Sequence, residues 1–199
     1  TLYNLKTETV GYDRNGLIMV RVDPVAAGYT GDDISRAMVA LMHRFSALPG
    51  VRTVTFSENG LFSGTESGTP LEAEGFTPAS DDDRVARFDQ AGPAYFTNVG
   101  IPIVLGRDFT EHDAVDAPRV TVINDTMARF YFPNQSPIGK HIHVRGPSDV
   151  VLEIVGVARD TKVQTLGEAP TALLYHPLPQ RYTRLLRVVV RSSGPSDRV

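Results

Sequence analysis

His141 and His143 stand two residues apart in "HIHV", a spacing that turns both imidazoles to one face of a strand. With Glu111, His112 or Asp113 nearby, the pair would supply the ligand types of a hydrolytic metal centre. The pattern is unspecific, because pairs at that spacing arise by chance and no HExxH frames them. Surface or loop histidines are the plainer reading, and a metal-dependent hydrolase is the less favoured alternative. "PIGKH" contains the Gly-Lys of a phosphate loop, but Asn134 stands in place of its first glycine and His141 in place of its hydroxyl residue. Neither Ser63 nor Ser67 has the glycine two positions earlier that a nucleophile elbow requires.

Arg107 and Asp108 could form a functional ion pair, yet neighbours in an extended chain point to opposite faces. An Asp capping a turn and an Arg reaching a backbone carbonyl is the expected use. Asp113, Asp116 and Asp160 could do acid-base work, but nothing in their spacing selects it. Tyr95-Phe96 and Phe130-Tyr131-Phe132 are expected to pack inward, and Asp81-Asp82-Asp83 to lie in a solvated loop. No catalytic, cofactor-binding or metal residue is therefore assigned, and no cofactor is expected.

The elements that would position these residues read as follows. "LIMVRVD" (17–23) is a β-branched run closed by Asp23-Pro24. Thr30 stands three before Asp33 in a capping-box arrangement, and Ile34, Ala37, Met38, Leu41, Met42 and Phe45 follow at helical spacing. "VRTVTFSE" (51–58) completes a β-α-β or split β-α-β unit. Residues 59–83 are rich in Gly, Ser, Thr and Pro, with a short strand at "LEAEGF". "RVARFDQ" is a strand, "GPAYFTNVG" a short helix bracketed by Pro93 and Gly100, and "IPIVLGRDF" an edge marked by Pro102. "RVTVIND" is a strand from which Asn124 or Asp125 caps the helix "TMARFYF". "HIHV", "VVLEIVGVARD", "TALLYHPL" and "LLRVVVRS" follow as strands. Pairing the last three with 17–23 and 51–58 leaves residues 60–148 as an inserted unit.

Bulk properties agree with a folded domain: 41% hydrophobic and 22% charged residues. Twenty Lys+Arg against 23 Asp+Glu leave a net charge of -3, so no nucleic acid is expected as a partner. There is no cysteine, which removes disulfides, thiol nucleophiles and thiolate metal sites together. No run approaches the roughly 18 apolar residues of a membrane span, so a soluble piece is expected. Its Thr1 start and polar "SSGPSDRV" end suggest a segment of a longer protein.

"AYFTNVGIPIVLGRDFTEHD", "PRVTVINDTMARFYFPNQSPIGKHI", "EIVGVARDTK" and "LYHPLPQ" resemble, in order and spacing, the periplasmic core domain of MacB-like, FtsX-type ABC transporter permeases, the acidobacterial type in particular. The resemblance runs from about Leu17 to Val190 and is densest from Tyr95 to Asp160. It implies an α+β (mixed α/β) fold of two subdomains. One is a porter-like split β-α-β sheet with helices on one face, from residues 1–59 and 149–199. The other is a small α/β unit inserted at 60–148.

The resemblance further implies a non-catalytic domain on the periplasmic face of the bacterial inner membrane, relaying ATP-driven motion. Its partners would be a cytoplasmic ABC ATPase, a second permease subunit, and a periplasmic adaptor or a lipophilic or peptide substrate. No site residue is carried over. The alternative is a stand-alone ligand-binding module using apolar surface at Leu61-Phe62 or Phe76.

Overall fold

The computed structural model describes residues 10–64, 67–146, 149–180 and 186–194. Three strands and one long helix form the first layer. β1 (Leu17–Val22) and β2 (Val51–Ser57) both pair antiparallel to the late strand β10 (Leu186–Ser192), which lies between them. β1 and β2 are therefore parallel, and α1 (Asp32–Ser46) makes the crossover of a split β-α-β unit. α1 lays Ile34 and Met38 on Phe56, Leu186, Val188 and Val190, the sheet face read from its helical spacing. The expected capping box is absent: the helix starts one residue late, with Gly31 at the cap and no side-chain cap bond. Asp33 pairs with Arg36 instead.

The remaining strands are β3 (Ser67–Ala73), β4 (Val85–Ala91), β5 (Ile103–Gly106), β6 (Val120–Asn124), β7 (His141–Val144), β8 (Val150–Ala158) and β9 (Leu173–Pro177). Two short helices, α2 (Tyr95–Val99) and α3 (Asp125–Tyr131), accompany them. Hydrogen bonding runs β4-β3-β7-β8-β6-β9, and β9 then pairs parallel with β4. The circuit closes into a six-stranded barrel, which removes the free edges that an open sheet would expose. Leu71, Phe88, Ile123, Ile142, Leu152 and Leu174, one from each strand, meet in its core. Met127, Tyr131 and Phe132 of α3 and the residue after it close one end.

This closure corrects the expected strand partners. Of the three late strands only β10 joins β1 and β2. β8 pairs β5, β6 and β7, and β9 pairs β4 and β6. A cut between residues 148 and 149 would part β7 from β8, where Val144 lies opposite Val150. Residues 60–148 alone cannot close the barrel, because two of its six strands come from the segment beyond.

Within β8 the side-chain alternation slips. Ile154 and Val157, three apart, both enter the barrel core, because the pairing with β6 shifts between Thr121 and Val122. β5 pairs with residues 156–158 of β8, beyond the stretch 150–153 that pairs with β7. Gly106 turns there with φ 74°, and a Cβ on it would meet the Val155 carbonyl oxygen at 2.2 Å. The edge position inferred from Pro102 holds, since β5 pairs with β8 alone.

Candidate functional site

The residues singled out for chemistry are dispersed into local contacts. His141 Nδ1 lies 2.9 Å from Glu74, whose second oxygen accepts from Lys140 Nζ at 3.0 Å. The His141 bond, then that of Lys140, hold the Glu74 carboxyl down to about 2. Asp113 accepts both guanidinium arms of Arg107 at 2.8 Å and the Thr110 N–H at 2.8 Å. Burial opposes ionisation of Asp113, but those bonds outweigh it and hold its pKa below the usual range. Among the described residues no three His, Asp or Glu side chains converge on a metal position. Asp160 is likewise engaged, accepting from the Thr126 N–H and hydroxyl and from Arg129.

Arg107 also reaches the Asp108 carbonyl at 3.1 Å, as expected of it. Asp108 accepts from the Thr97 N–H and hydroxyl, both at 2.9 Å, satisfying a first-turn amide of α2. Leu61 is a core residue and Phe76 packs on Phe130 and Tyr131, at 5.2 and 4.8 Å. Of the apolar surface expected at Leu61-Phe62 or Phe76, Leu61 is buried and Phe76 half-buried, while Phe62 stays exposed beside Tyr12. Phe130 departs from its expected inward face and is 44% exposed.

What the fold does concentrate is a polar seam between the β1-β10-β2 sheet and the barrel. β2 and β4 share one ladder position, Ser57 opposite Ala91. α2 lies over this seam, with Tyr95, Phe96 and Val99 packed on Ala91, Tyr175 and Val189. Phe96 meets Tyr175 edge-on at 4.8 Å and Phe109 at 5.9 Å. Thr55 donates to the Pro93 carbonyl at 2.8 Å, and Asn98 donates to the Thr53 hydroxyl at 3.0 Å.

Arg191 of β10 is the hub of the seam. It is 9% exposed and donates Nε and Nη2 to the Asn98 carbonyl at 2.9 and 2.8 Å. Nη2 also reaches the Asp13 carbonyl at 3.0 Å, and Nη1 the Asn15 carbonyl. A cation at the last carbonyls of α2 is the favourable polarity. Gly100 ends that helix with φ 77°, where a Cβ would come within 2.8 Å of the Asp13 Cβ. One side chain thus ties the sheet, the helix and the chain entering β1.

Asp89 of β4 is the second anchor. Its carboxylate accepts from Ser57 Oγ at 2.6 Å, the Asn59 N–H at 2.8 Å and the Gln90 N–H at 2.8 Å. Ser57 in turn accepts the Gly60 N–H at 2.7 Å. Burial, opposed by these hydrogen bonds and helped a little by Glu58, leaves the Asp89 pKa raised to about 6. Burial also raises Tyr95 and Tyr175, with the Asp89 charge reinforcing both. Neither Asp89 nor Arg191 was singled out by sequence. The available signal was a charged residue in an otherwise apolar strand position: Asp89 within "ARFDQA" and Arg191 after "VVV".

No helix among the described residues is long and apolar enough to cross a membrane. The family model described as MacB-like periplasmic core domain matches residues 4–198. The Macrolide export ATP-binding/permease protein MacB of Marinobacter nauticus is 29% identical over 76 residues, 38% of this chain and 11% of that protein. This chain thus aligns with about a tenth of that relative. The crystal structure of the periplasmic region of MacB from Actinobacillus actinomycetemcomitans superposes with a TM-score of 0.59 at 20% identity, covering 96% of this chain and 80% of the other. The extracellular domain of the noncanonic ABC-type transporter YknZ from Gram-positive bacteria superposes at 0.53 and 18% identity, over 77% and 71%. At such identities the likeness establishes the mixed α/β fold.

Proposed function

Because the chain belongs to the MacB-like periplasmic core domain family, we propose that it is a non-catalytic, extracytoplasmic relay domain of an ABC transporter permease. The observation that carries this reading is the family match over residues 4–198. The seam gives it a physical route. Two folded units, the split β-α-β sheet and the barrel, share one β2–β4 ladder position, and α2, Arg191 and Asp89 are among the further links between them. Such a joint allows two discrete arrangements of packed units, the form in which small displacements become large ones.

In this reading a cytoplasmic ATPase drives the transmembrane part of a longer protein, and a second permease copy stands beside this one. The domain lies on the periplasmic face and passes the motion to an adaptor or substrate. A domain that contacted both conformational states equally would transmit nothing, so its contacts must differ between them.

The test uses the absence of cysteine from this sequence. Spin labels at Val39→Cys on α1 and Val151→Cys on β8, both exposed, would be placed in the full-length, otherwise cysteine-free permease with its ATPase. Distances are measured without nucleotide and in an ATP-trapped state. A nucleotide-dependent change, absent when the ATPase is inactivated, is the expected result. Identical distributions in both states would remove the relay reading.

A further inference from the structure

α3 closes one end of the barrel with Met127, Tyr131 and Phe132, all at most 2% exposed. At the opposite end, where β3, β6 and β8 begin and β4, β7 and β9 finish, a cavity of about 630 Å³ opens. Its volume is that of small-molecule sites, which favour barrel mouths. Phe88, Val144 and Leu152 of the barrel core form its floor, at 8%, 7% and 2% exposure. His176, 5% exposed, stands edge-on to Phe88 with ring centroids 5.7 Å apart and adds one polar wall.

Among the described residues, the charges that line this mouth are of one sign. Arg119 and Arg145 reach it, and among the described residues no carboxylate lines it. The Arg145 charge is already shared by Glu72 and Asp149, each at 2.7 Å outside the cavity. Arg119 differs. It is exposed, donates to the Gln180 carbonyl, and has no carboxylate partner among the described residues. Gln180 is itself held by the Pro118 carbonyl at 2.9 Å and the Val120 N–H at 3.2 Å, which fixes the carbonyl that orients Arg119.

We propose that the open barrel mouth is a binding site for a single-tailed anionic amphiphile, its apolar tail against Phe88 and Leu152 and its head group on Arg119. Apolar floor and a guanidinium with no carboxylate partner among the described residues together call for both halves of such a ligand. A neutral chain leaves the cation unused, and a small anion leaves the floor wet. The site is independent of the relay reading.

The experiment titrates the 199-residue chain with decanoate, decyl phosphate, decanol and decyltrimethylammonium by calorimetry. Saturable binding of either anion, about tenfold weaker for decanol and absent for the cation, is expected. The stronger of the two anions identifies the head group. Arg119→Gln, which keeps a donor for the Gln180 carbonyl, should weaken anion binding about tenfold and leave the thermal midpoint unchanged. Val150→Trp, at the half-buried start of β8, should plug the mouth and abolish binding; circular dichroism checks that it folds. Should that variant not fold, the Arg119→Gln and decanol arms decide alone. Equal binding of decanol and decanoate, an unaffected Arg119→Gln, or no binding of either anion would overturn the proposal. None of these outcomes bears on the spin-label distances.

Discussion

Asp89 shows how a single buried carboxylate sets a measurable pH response. Unfolded, an aspartate titrates near 3.9, whereas burial holds Asp89 near 6. Between those values the folded chain keeps a proton that the unfolded chain has released, so this residue's contribution to stability falls as pH rises through the window. Glu74, held down near 2, and the likewise lowered Asp113 act in the opposite sense, losing their stabilisation as pH drops. Comparison with Asp89→Asn isolates the buried group. The stability of the wild type relative to this variant should fall by about 2 kcal/mol between pH 4 and pH 7, read from urea unfolding. A pH-independent difference would mean that Asp89 is not held protonated by burial. No motif marks this residue; a lone Asp inside a strand acquires its properties from the donors of another strand.

At the scale of elements, β5 joins the barrel at residues 156–158 of β8, next to the slip. Gly156 sits in it with a backbone that any residue can adopt, yet a Cβ there would meet the Arg107 carbonyl oxygen at 2.3 Å. Gly156→Ala should therefore destabilise the chain by about 1–3 kcal/mol through overpacking against backbone. Gly167→Ala, where nothing lies within 4 Å, is the control and should leave the thermal midpoint nearly unchanged. Equal midpoints for the two variants would refute the close approach. The strands and helices themselves were legible because their signals are local. Asn124 accepts from the Met127 N–H at 3.0 Å, as its place before "TMARFYF" suggested. Its further bonds to Leu173 and Thr171 were not legible, since they cross 49 and 47 positions of chain.

At the scale of the whole molecule, Arg191 decides whether sheet and barrel behave as one body. Arg191→Met keeps an apolar stem and removes every donor to Asn98, Asp13 and Asn15. A loss of roughly 2–3 kcal/mol is expected, with hydrogen exchange accelerating first at the amides of Asp13, Gly100 and Ile101. Uniform acceleration across the barrel amides would show that the seam is not a separable joint. Order and spacing of short segments determined most of the element list and the family, because periodicity and turn residues act within a few positions. The choice between a β-α-β and a split β-α-β unit waited for β10 to enter between β1 and β2. The assignment of β8 and β9 was decided only by tertiary structure. Their partners include the parallel pairings β6–β8 and β4–β9, and strands that apolar need not show in sequence which neighbour will bury them. The barrel, its open mouth and the seam follow from that closure, so each became visible only when all six strands stood in place.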